Sequence, residues 1–236
     1  MAGITDADFL NKVIPYGFNV ATLGGYSLDA PTIEASKKIV ERGRKEFVFP
    51  LDETFSHIEN EIALIKKIHG NVKVSANVRS TTPQPIIDIG NIKDLDIVEI
   101  NCHCRQEEIL NIGCGQEMLM RSDLGYFISQ VVDDVDCEVS VKIRANVEGV
   151  DTLKMACFIE DAGADYLHID AMKKGVFDAD YNLLKEICNN VQIKVIGNNS
   201  VNSKLNAQKM VETGVDGFSI ARGVISGNLS FDISDF

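Results

Sequence analysis

Short apolar runs rich in β-branched residues alternate with amphipathic segments along the whole chain. Short continuous apolar runs are typical of strands that are buried on both faces, and apolar positions three to four apart are typical of helices. The pattern predicts eight strands, at residues 17–21, 46–49, 72–78, 97–101, 138–144, 166–170, 193–197 and 217–221. It predicts helices near residues 31–43, 56–69, 84–90, 117–133, 150–163, 180–190 and 203–213.

The strand–helix steps repeat at intervals of roughly 25–30 residues, which favours an α/β fold of the (β/α)8 TIM-barrel type over an open doubly wound sheet. No linker rich in Pro, Gly or Ser and no low-complexity run interrupts the pattern. We therefore predict one barrel that forms a single domain, residues 1–236.

Two stretches depart from this regular spacing. The interval between the fourth and fifth predicted strands is the longest, and it holds Cys102, Cys104 and Cys114. Long loops at the C-terminal face of a barrel usually carry its chemistry. After the last predicted strand, residues 223–236 leave little room for a full closing helix. We expect the seam between the first and last strands to be covered by this tail, by an N-terminal helix at residues 5–12, or by a partner subunit in a homodimer.

Composition narrows the function classes. The 236 residues are 45% hydrophobic and 25% charged, which excludes a disordered chain. No apolar run approaches ~18 residues, so no membrane partner is expected. The N-terminus does not resemble a secretory signal, so we expect a cytoplasmic protein whose six cysteines are reduced. A formal net charge of −12 argues against a large polyanionic partner, because cations supply most of the affinity for phosphates.

Polar side chains collect where the predicted strands end, at Asn77, Asn101, Lys142, Arg144, His168, Asp170, Asn198, Asn199 and Arg222. In a barrel these ends converge on one mouth, so together they predict a polar ligand there. Lys142 lies inside an apolar strand, where a lysine must be paired or must reach a ligand. It either pairs with Glu99 or Asp170 on neighbouring strands or reaches a cavity that holds an anion or a carbonyl.

The last two predicted strands end in Gly197-Asn198-Asn199 and Ala221-Arg222-Gly223. Glycine lets the backbone approach a ligand closely, and successive backbone N–H groups at such turns bind anions. Barrel enzymes frequently bind phosphate after their seventh and eighth strands. These residues therefore predict a site for a phosphorylated ligand.

The long loop begins with Asn101-Cys102-His103-Cys104-Arg105. A thiol near His or Arg in an accessible pocket can act as an acid or a nucleophile. These residues could instead form a metal site with Cys114, but the spacing matches the usual zinc patterns poorly, so we predict no metal. Cys102 could also be a buried, inert thiol, and the sequence does not decide whether Cys102 or Cys104 reacts.

A collinear series of motifs runs from Asp96 to Phe231 and covers more than half of the chain. Its members are Ile100-Asn101-Cys102-His103-Cys104, Val141-Lys142-Ile143-Arg144, Leu167-His168-Ile169-Asp170, Asp178-Ala179-Asp180-Tyr181, Val195-Ile196-Gly197-Asn198-Asn199 and residues 213–223. This series resembles the flavin barrel of the tRNA-dihydrouridine synthases and, more distantly, the dihydroorotate dehydrogenases. In detail the chain looks most like an archaeal branch of flavin barrels related to those synthases.

The resemblance implies an oxidoreductase with FMN in the barrel mouth and NAD(P)H as the reductant of the flavin. It implies flavin contacts from Asn77, Lys142 and His168, and phosphate contacts from Gly197, Asn198, Asn199, Ala221, Arg222 and Gly223. Cys104 would protonate C5 of a pyrimidine while hydride reaches C6, and Asn101 would position the base. The expected catalytic residues are thus Cys104, Asn101, Lys142 and His168.

The chain also departs from the family pattern. Arg105 stands where the family has Pro, His103 where it has Gly, and Asn77 where it has Gln. The synthases continue into a helical tRNA-binding domain after the last strand, and we expect this chain to lack it. We therefore expect a free pyrimidine or an RNA uridine as the substrate, with tRNA disfavoured. Two alternatives are a non-redox barrel enzyme for a phosphorylated metabolite and a catalytically idle flavin-barrel relative.

Overall fold

Seven parallel strands form one sheet whose order follows the sequence in the computed structural model, which describes residues 2–236. The strands are β1 (Val20–Ser27), β2 (Lys73–Arg79), β3 (Ile97–Cys102), β4 (Glu138–Arg144), β5 (Tyr166–Asp170), β6 (Lys194–Asn198) and β7 (Gly217–Phe218). The helices are α1 (Ala7–Val13), α2 (Ala30–Glu41), α3 (Leu51–Ile68), α4 (Gln84–Gly90), α5 (Glu107–Leu110), α6 (Leu124–Asp134), α7 (Thr152–Asp161), α8 (Tyr181–Cys188) and α9 (Lys204–Val211). The predicted TIM-like α/β barrel is confirmed.

The central strands are buried on both faces, as their apolar sequences predict. All six residues of β3 are buried, and so are six of the seven in β2. At the opposite end from the mouth, an aspartate immediately before β3, β5 or β7 accepts the backbone N–H of the second residue of the preceding strand. These pairs are Asp96 with Val74 (2.7 Å), Asp165 with Val139 (2.7 Å) and Asp216 with Val195 (2.8 Å). The repeated contact helps to fix the register of the parallel strands.

The prediction of a strand at residues 46–49, the second of the eight expected, is wrong. β1 pairs directly with β2, from Val20 opposite Lys73 to Ser27 opposite Arg79, and residues 46–49 lie outside the sheet. Phe47 and Phe49 pack against the buried ring of Tyr26, with ring centroids 5.1 and 6.4 Å away. The alternating Glu-Phe-Val-Phe sequence is thus satisfied by side-chain packing rather than by strand pairing.

The first and last strands also differ from their predicted bounds. The first strand was expected at residues 17–21. A 3₁₀ helix at Ile14–Tyr16 precedes it, and β1 begins only at Val20. β7 is two residues long instead of five.

The C-terminal tail covers the short last strand. Phe236 packs edge-on against Phe218 of β7, with ring centroids 5.7 Å apart, and Lys204 pairs with Asp235 at 2.7 Å. Tyr16, ahead of β1, donates its hydroxyl to the carbonyl oxygen of Gly227 at 3.0 Å. The tail is therefore one cover of the seam between β1 and β7, as expected. Within residues 2–236, no helix has the length and apolar character needed to cross a membrane.

Candidate active site

A buried carboxylate lies at the centre of the polar residues at the mouth. Glu99 of β3 is 2% exposed; its Oε2 lies 2.6 Å from Nδ1 of His168, and its Oε1 accepts from Asn77 Nδ2 at 2.7 Å. Burial by itself would raise the pKa of Glu99, but the positive charges of His168 and Lys142 and the hydrogen bonds hold it well below its usual range. The barrel thus holds an ionised carboxylate beneath its mouth.

Lys142 of β4 neighbours this network in the sheet and has no ion-pair partner among the described residues. In the strand register it is opposite Asn101 on one side and His168 on the other. Neither of its expected partners is available, because Glu99 is engaged by His168 and Asp170 by Arg144 at 3.0 Å. Among residues 2–236, none forms an ion pair or a hydrogen bond with Lys142 Nζ. Of the two alternatives for Lys142, an ion pair or a cation that reaches a ligand, the geometry favours the second.

A second cluster gathers around Asp170 at the end of β5. Its carboxylate contacts Nε2 of His103 at 2.7 Å and accepts from Asn199 Nδ2 at 2.7 Å, in addition to Arg144. Burial would raise the pKa of Asp170, but the hydrogen bond from His103 and the charge of Arg144 lower it to about 2. Burial also lowers the pKa of His103 to about 4. The cluster ties the long loop after β3 to β4, β5 and the end of β6.

Asn101 shapes the turn that carries the candidate thiol. Its Oδ1 accepts the backbone N–H groups of His103 (3.1 Å) and Cys104 (2.9 Å), while Nδ2 donates to Asn77 Oδ1 at 2.7 Å. An amide nitrogen carries two hydrogens, so one donor of Asn101 remains for a ligand.

The three cysteines near this loop differ in their surroundings. Cys102 and Cys114 are fully buried; Cys102 Sγ contacts Met118 Sδ at 3.9 Å, and Cys114 donates to Ser80 O at 3.3 Å. Burial raises the pKa of Cys102 and raises that of Cys114 to about 12. Cys104 is half-buried and faces the Arg79 guanidinium. This difference favours Cys104 as the reactive thiol.

Side chains at the end of β6 and just after β7 join the hydrogen-bond network of His168. Asn198 Nδ2 donates to the carbonyl oxygen and hydroxyl of Ser219, and that hydroxyl also lies 2.7 Å from His168 Nε2. Asn199 and Ser200 have positive φ values of 102° and 57°, so the chain turns sharply here. Arg222 lies in a 3₁₀ helix after β7, and no other residue of the described range forms an ion pair with it.

The predicted phosphate-binding glycines have packing roles in this structure. A Cβ on Gly197 would lie 2.4 Å from Met210 Sδ of α9, and one on Gly223 would lie 3.1 Å from Val201 O. Two cavities of about 200 Å³ each lie at the rim beside residues 173–182 and between α8 and α9 rather than over Lys142.

Sequence reasoning missed three residues of the site: Arg79, Glu46 and Ser219. Arg79 carried a usable signal, because it ends an apolar strand two residues after Asn77, in the same way that Arg144 follows Lys142. Glu46 and Ser219 carried none. Each reaches the site only through a contact with a distant part of the chain, Glu46 by accepting from Arg79 Nη2 at 2.7 Å and Ser219 through His168 Nε2.

Comparison with known proteins gives relatives over nearly the full chain. A family model described as dihydrouridine synthase (Dus) matches residues 78–229. An uncharacterized protein of Methanocaldococcus jannaschii is 37% identical over 98% of this chain and 89% of that protein. tRNA-dihydrouridine synthase B of Shewanella oneidensis is 32% identical over 94% of this chain. The chain spans 65% of the length of that synthase, and the same share of its counterpart in Vibrio vulnificus.

Solved structures support the fold alone. FabK from Thermotoga maritima aligns with a TM-score of 0.53 and 14% identity over 95% of this chain and 62% of that chain. N-acetylmannosamine-6-phosphate 2-epimerase from Clostridium perfringens aligns with a TM-score of 0.52 and 11% identity over 87% of this chain and 85% of that chain.

Proposed function

The chain belongs to the dihydrouridine synthase family, and we propose that it is an FMN-dependent oxidoreductase acting on the C5=C6 bond of a pyrimidine, with NAD(P)H as electron donor. The observation that carries the proposal is the ammonium group of Lys142, which has no ion-pair or hydrogen-bond partner among residues 2–236. Lys142 lies between Asn101 and His168 in the strand register, and the buried carboxylate of Glu99 contacts His168 instead.

The residues present fit FMN at both of its ends. A cation beside the ring system stabilises a reduced flavin, and Lys142 is available for that contact. Asn77 and His168 belong to the hydrogen-bonded layer that fixes the surroundings of Lys142. At the other end, Arg222 has no acidic partner within the described range, and the turn at Asn199 supplies backbone N–H groups suited to an anion. We assign the phosphate to this region, formed by Gly197, Asn198, Asn199, Ala221, Arg222 and Gly223.

The bound flavin would supply hydride chemistry, and the chain's own residues would supply the proton and the substrate's position. Cys104 lies on the turn that Asn101 fixes through two backbone hydrogen bonds. We assign Cys104 as the acid that protonates C5 and Asn101, through its remaining amide hydrogen, as a contact to the base.

The substrate is a pyrimidine ring, free or within RNA. The formal net charge of −12 supports a small or locally bound substrate, because a long polyanion is repelled by a strongly acidic protein. The named activity of the relatives supports a uridine in tRNA. The substrate experiment below separates the two.

The test is anaerobic incubation of the purified protein with FMN and NADH or NADPH, separately with uracil, uridine monophosphate and unmodified tRNA. Mass spectrometry would detect the gain of two hydrogens in the pyrimidine. Product from at least one substrate supports the proposal, and product from tRNA alone would overturn the preference for a small substrate. No product from any of them with FMN bound would favour a catalytically idle barrel.

A further inference from the structure

Arg79 places a buried positive charge beside the long loop after β3. Its side chain is 1% exposed, and Nη2 donates to Glu46 Oε2 at 2.7 Å and to Gly25 O at 3.0 Å. Glu46 comes from the segment that was predicted as a strand, and its side chain is also 1% exposed. Because a lone buried charge is strongly unfavourable, the carboxylate of Glu46 is what allows the guanidinium to be held here.

Glu46 does not use all the donors of this guanidinium. Nη1 of Arg79 donates to Cys104 Sγ at 3.9 Å, and Nε is buried without a hydrogen-bond partner in the part of the chain that the structure describes. The guanidinium therefore lies between a carboxylate on one side and a thiol on the other. A sulfur that carries negative charge accepts more strongly from such a donor than a neutral thiol does.

We propose that Arg79, held by Glu46, stabilises the thiolate that Cys104 carries after it gives up its proton. The identity of the proton acceptor, carbon C5 of a pyrimidine, rests on the proposed function. The S–H bond of Cys104 breaks, the proton forms the new C–H bond at pyrimidine C5, and the electron pair stays on Sγ next to Arg79 Nη1. The bound flavin would supply the hydride that completes the reduction at C6, and solvent would return a proton to the sulfur of Cys104. Arg79 is thus a fixed positive charge at the atom where negative charge develops.

Arg79 and Glu46 carry opposite charges, so removing one or the other should change the alkylation rate of Cys104 in opposite directions. The rate of alkylation by iodoacetamide reports the thiolate at Cys104, and peptide mass spectrometry distinguishes Cys104 from the other cysteines. Arg79→Met removes the cation, so alkylation at neutral pH should slow by about ten-fold or more. Glu46→Gln removes the counter-charge but keeps an amide oxygen that can accept from Arg79 Nη2, so the guanidinium stays in place and alkylation should become faster than in the unaltered protein. Arg79→Lys retains a positive charge and should restore part of the rate.

Arg44 offers a matched control, because its Nε lies 3.8 Å from the other oxygen of Glu46 while its side chain is 59% exposed. Arg44→Met removes one positive charge near Glu46 without touching the sulfur, and it should change the alkylation rate by less than about two-fold. Circular dichroism checks that each variant is folded. If Arg79→Met does not fold, the double variant Arg79→Met/Glu46→Gln removes both buried charges and should still alkylate more slowly than the unaltered protein.

The proposal is overturned if the folded Arg79→Met or double variant alkylates at the unaltered rate. It is also overturned if Arg79→Met and Glu46→Gln shift the rate in the same direction, as a purely structural role would require. The alkylation assay needs neither FMN nor a pyrimidine. A failure of the proposed function would therefore appear in the FMN and substrate experiments, while the effect of Arg79 on the sulfur is judged separately.

Discussion

Replacement of Lys142 by methionine separates a ligand-binding lysine from a structural one. Lys142 forms no ion pair and no hydrogen bond within residues 2–236, so Lys142→Met removes only the longer-range attraction between its ammonium group and the carboxylate of Glu99. The unfolding free energy should therefore fall by no more than about 1 kcal/mol. In the complex, the same change removes a charged hydrogen bond to FMN worth about 1.5–3 kcal/mol. The dissociation constant for FMN should therefore rise roughly 10- to 150-fold.

Lys66 is the matched control, since it carries the same charge but is paired. Its Nζ lies 2.5 Å from Asp96 Oδ2 and donates to Val72 O at 3.1 Å. Lys66→Met should lower the unfolding free energy by about 1–2 kcal/mol and leave FMN affinity unchanged once the protein is folded. Urea unfolding followed by circular dichroism gives the first quantity, and quenching of FMN fluorescence gives the second. Lys142 is not a flavin contact if Lys142→Met binds FMN as tightly as the unaltered protein, and it has a structural role if the variant loses more than about 1.5 kcal/mol of stability.

Three further predictions concern the hydrogen bond that helps to fix the strand register, the loss of stability at acid pH, and Cys104 as the proton donor. Asp165→Ala removes the acceptor of the Val139 N–H, so urea unfolding should show a loss of about 1–2 kcal/mol, with exposed Asp161→Ala near zero; equal effects would contradict the register role. Because the pKa of Asp170 is lowered to about 2, its stabilisation is present above pH ~4 and is lost as the pH falls towards 2. The unfolding free energy of Asp170→Asn should therefore depend less on pH in that window. An unchanged pH dependence would contradict stabilisation of the Asp170 carboxylate by His103 and Arg144. Cys104→Ala should abolish pyrimidine reduction and leave NAD(P)H-dependent flavin reduction intact, and loss of both activities would contradict its role as the acid.

The central strands could be predicted from sequence because their apolar residues face both layers. The predicted range 138–144 matches β4, and 166–170 matches β5. The prediction for β3 ends one residue early, and those for β2 and β6 lie one residue too early at both ends. These segments are buried between the barrel interior and the helices, so their hydrophobicity alone identifies them.

The segment at residues 46–49 could not be assigned correctly from its own sequence. Its aromatic and β-branched residues are typical of a strand, but whether it joins the sheet depends on which strand pairs with β1. In the structure β2 occupies that edge, and the aromatic rings of the segment pack on Tyr26 instead. This outcome is decided by contacts between distant parts of the chain.

The site shows the same division between local and long-range information. The position of Lys142 at the mouth follows from its strand, but its freedom depends on His168 engaging Glu99 and on Arg144 engaging Asp170. The sequence could pose these alternatives and could not choose between them. Likewise, the contact from Arg79 to Cys104 spans two strands and a loop, and Glu46 reaches it from a segment outside the sheet.

Titration of the purified protein with FMN asks directly whether the barrel mouth binds a flavin. We expect saturable binding of one FMN per chain, with the visible absorption of a protein-bound flavin and with competition by inorganic phosphate at the end of the site near Arg222. The bound flavin should be reduced by NADH or NADPH. A protein that shows no saturable change in FMN absorption or fluorescence would contradict the proposed flavin site and every assignment that depends on it.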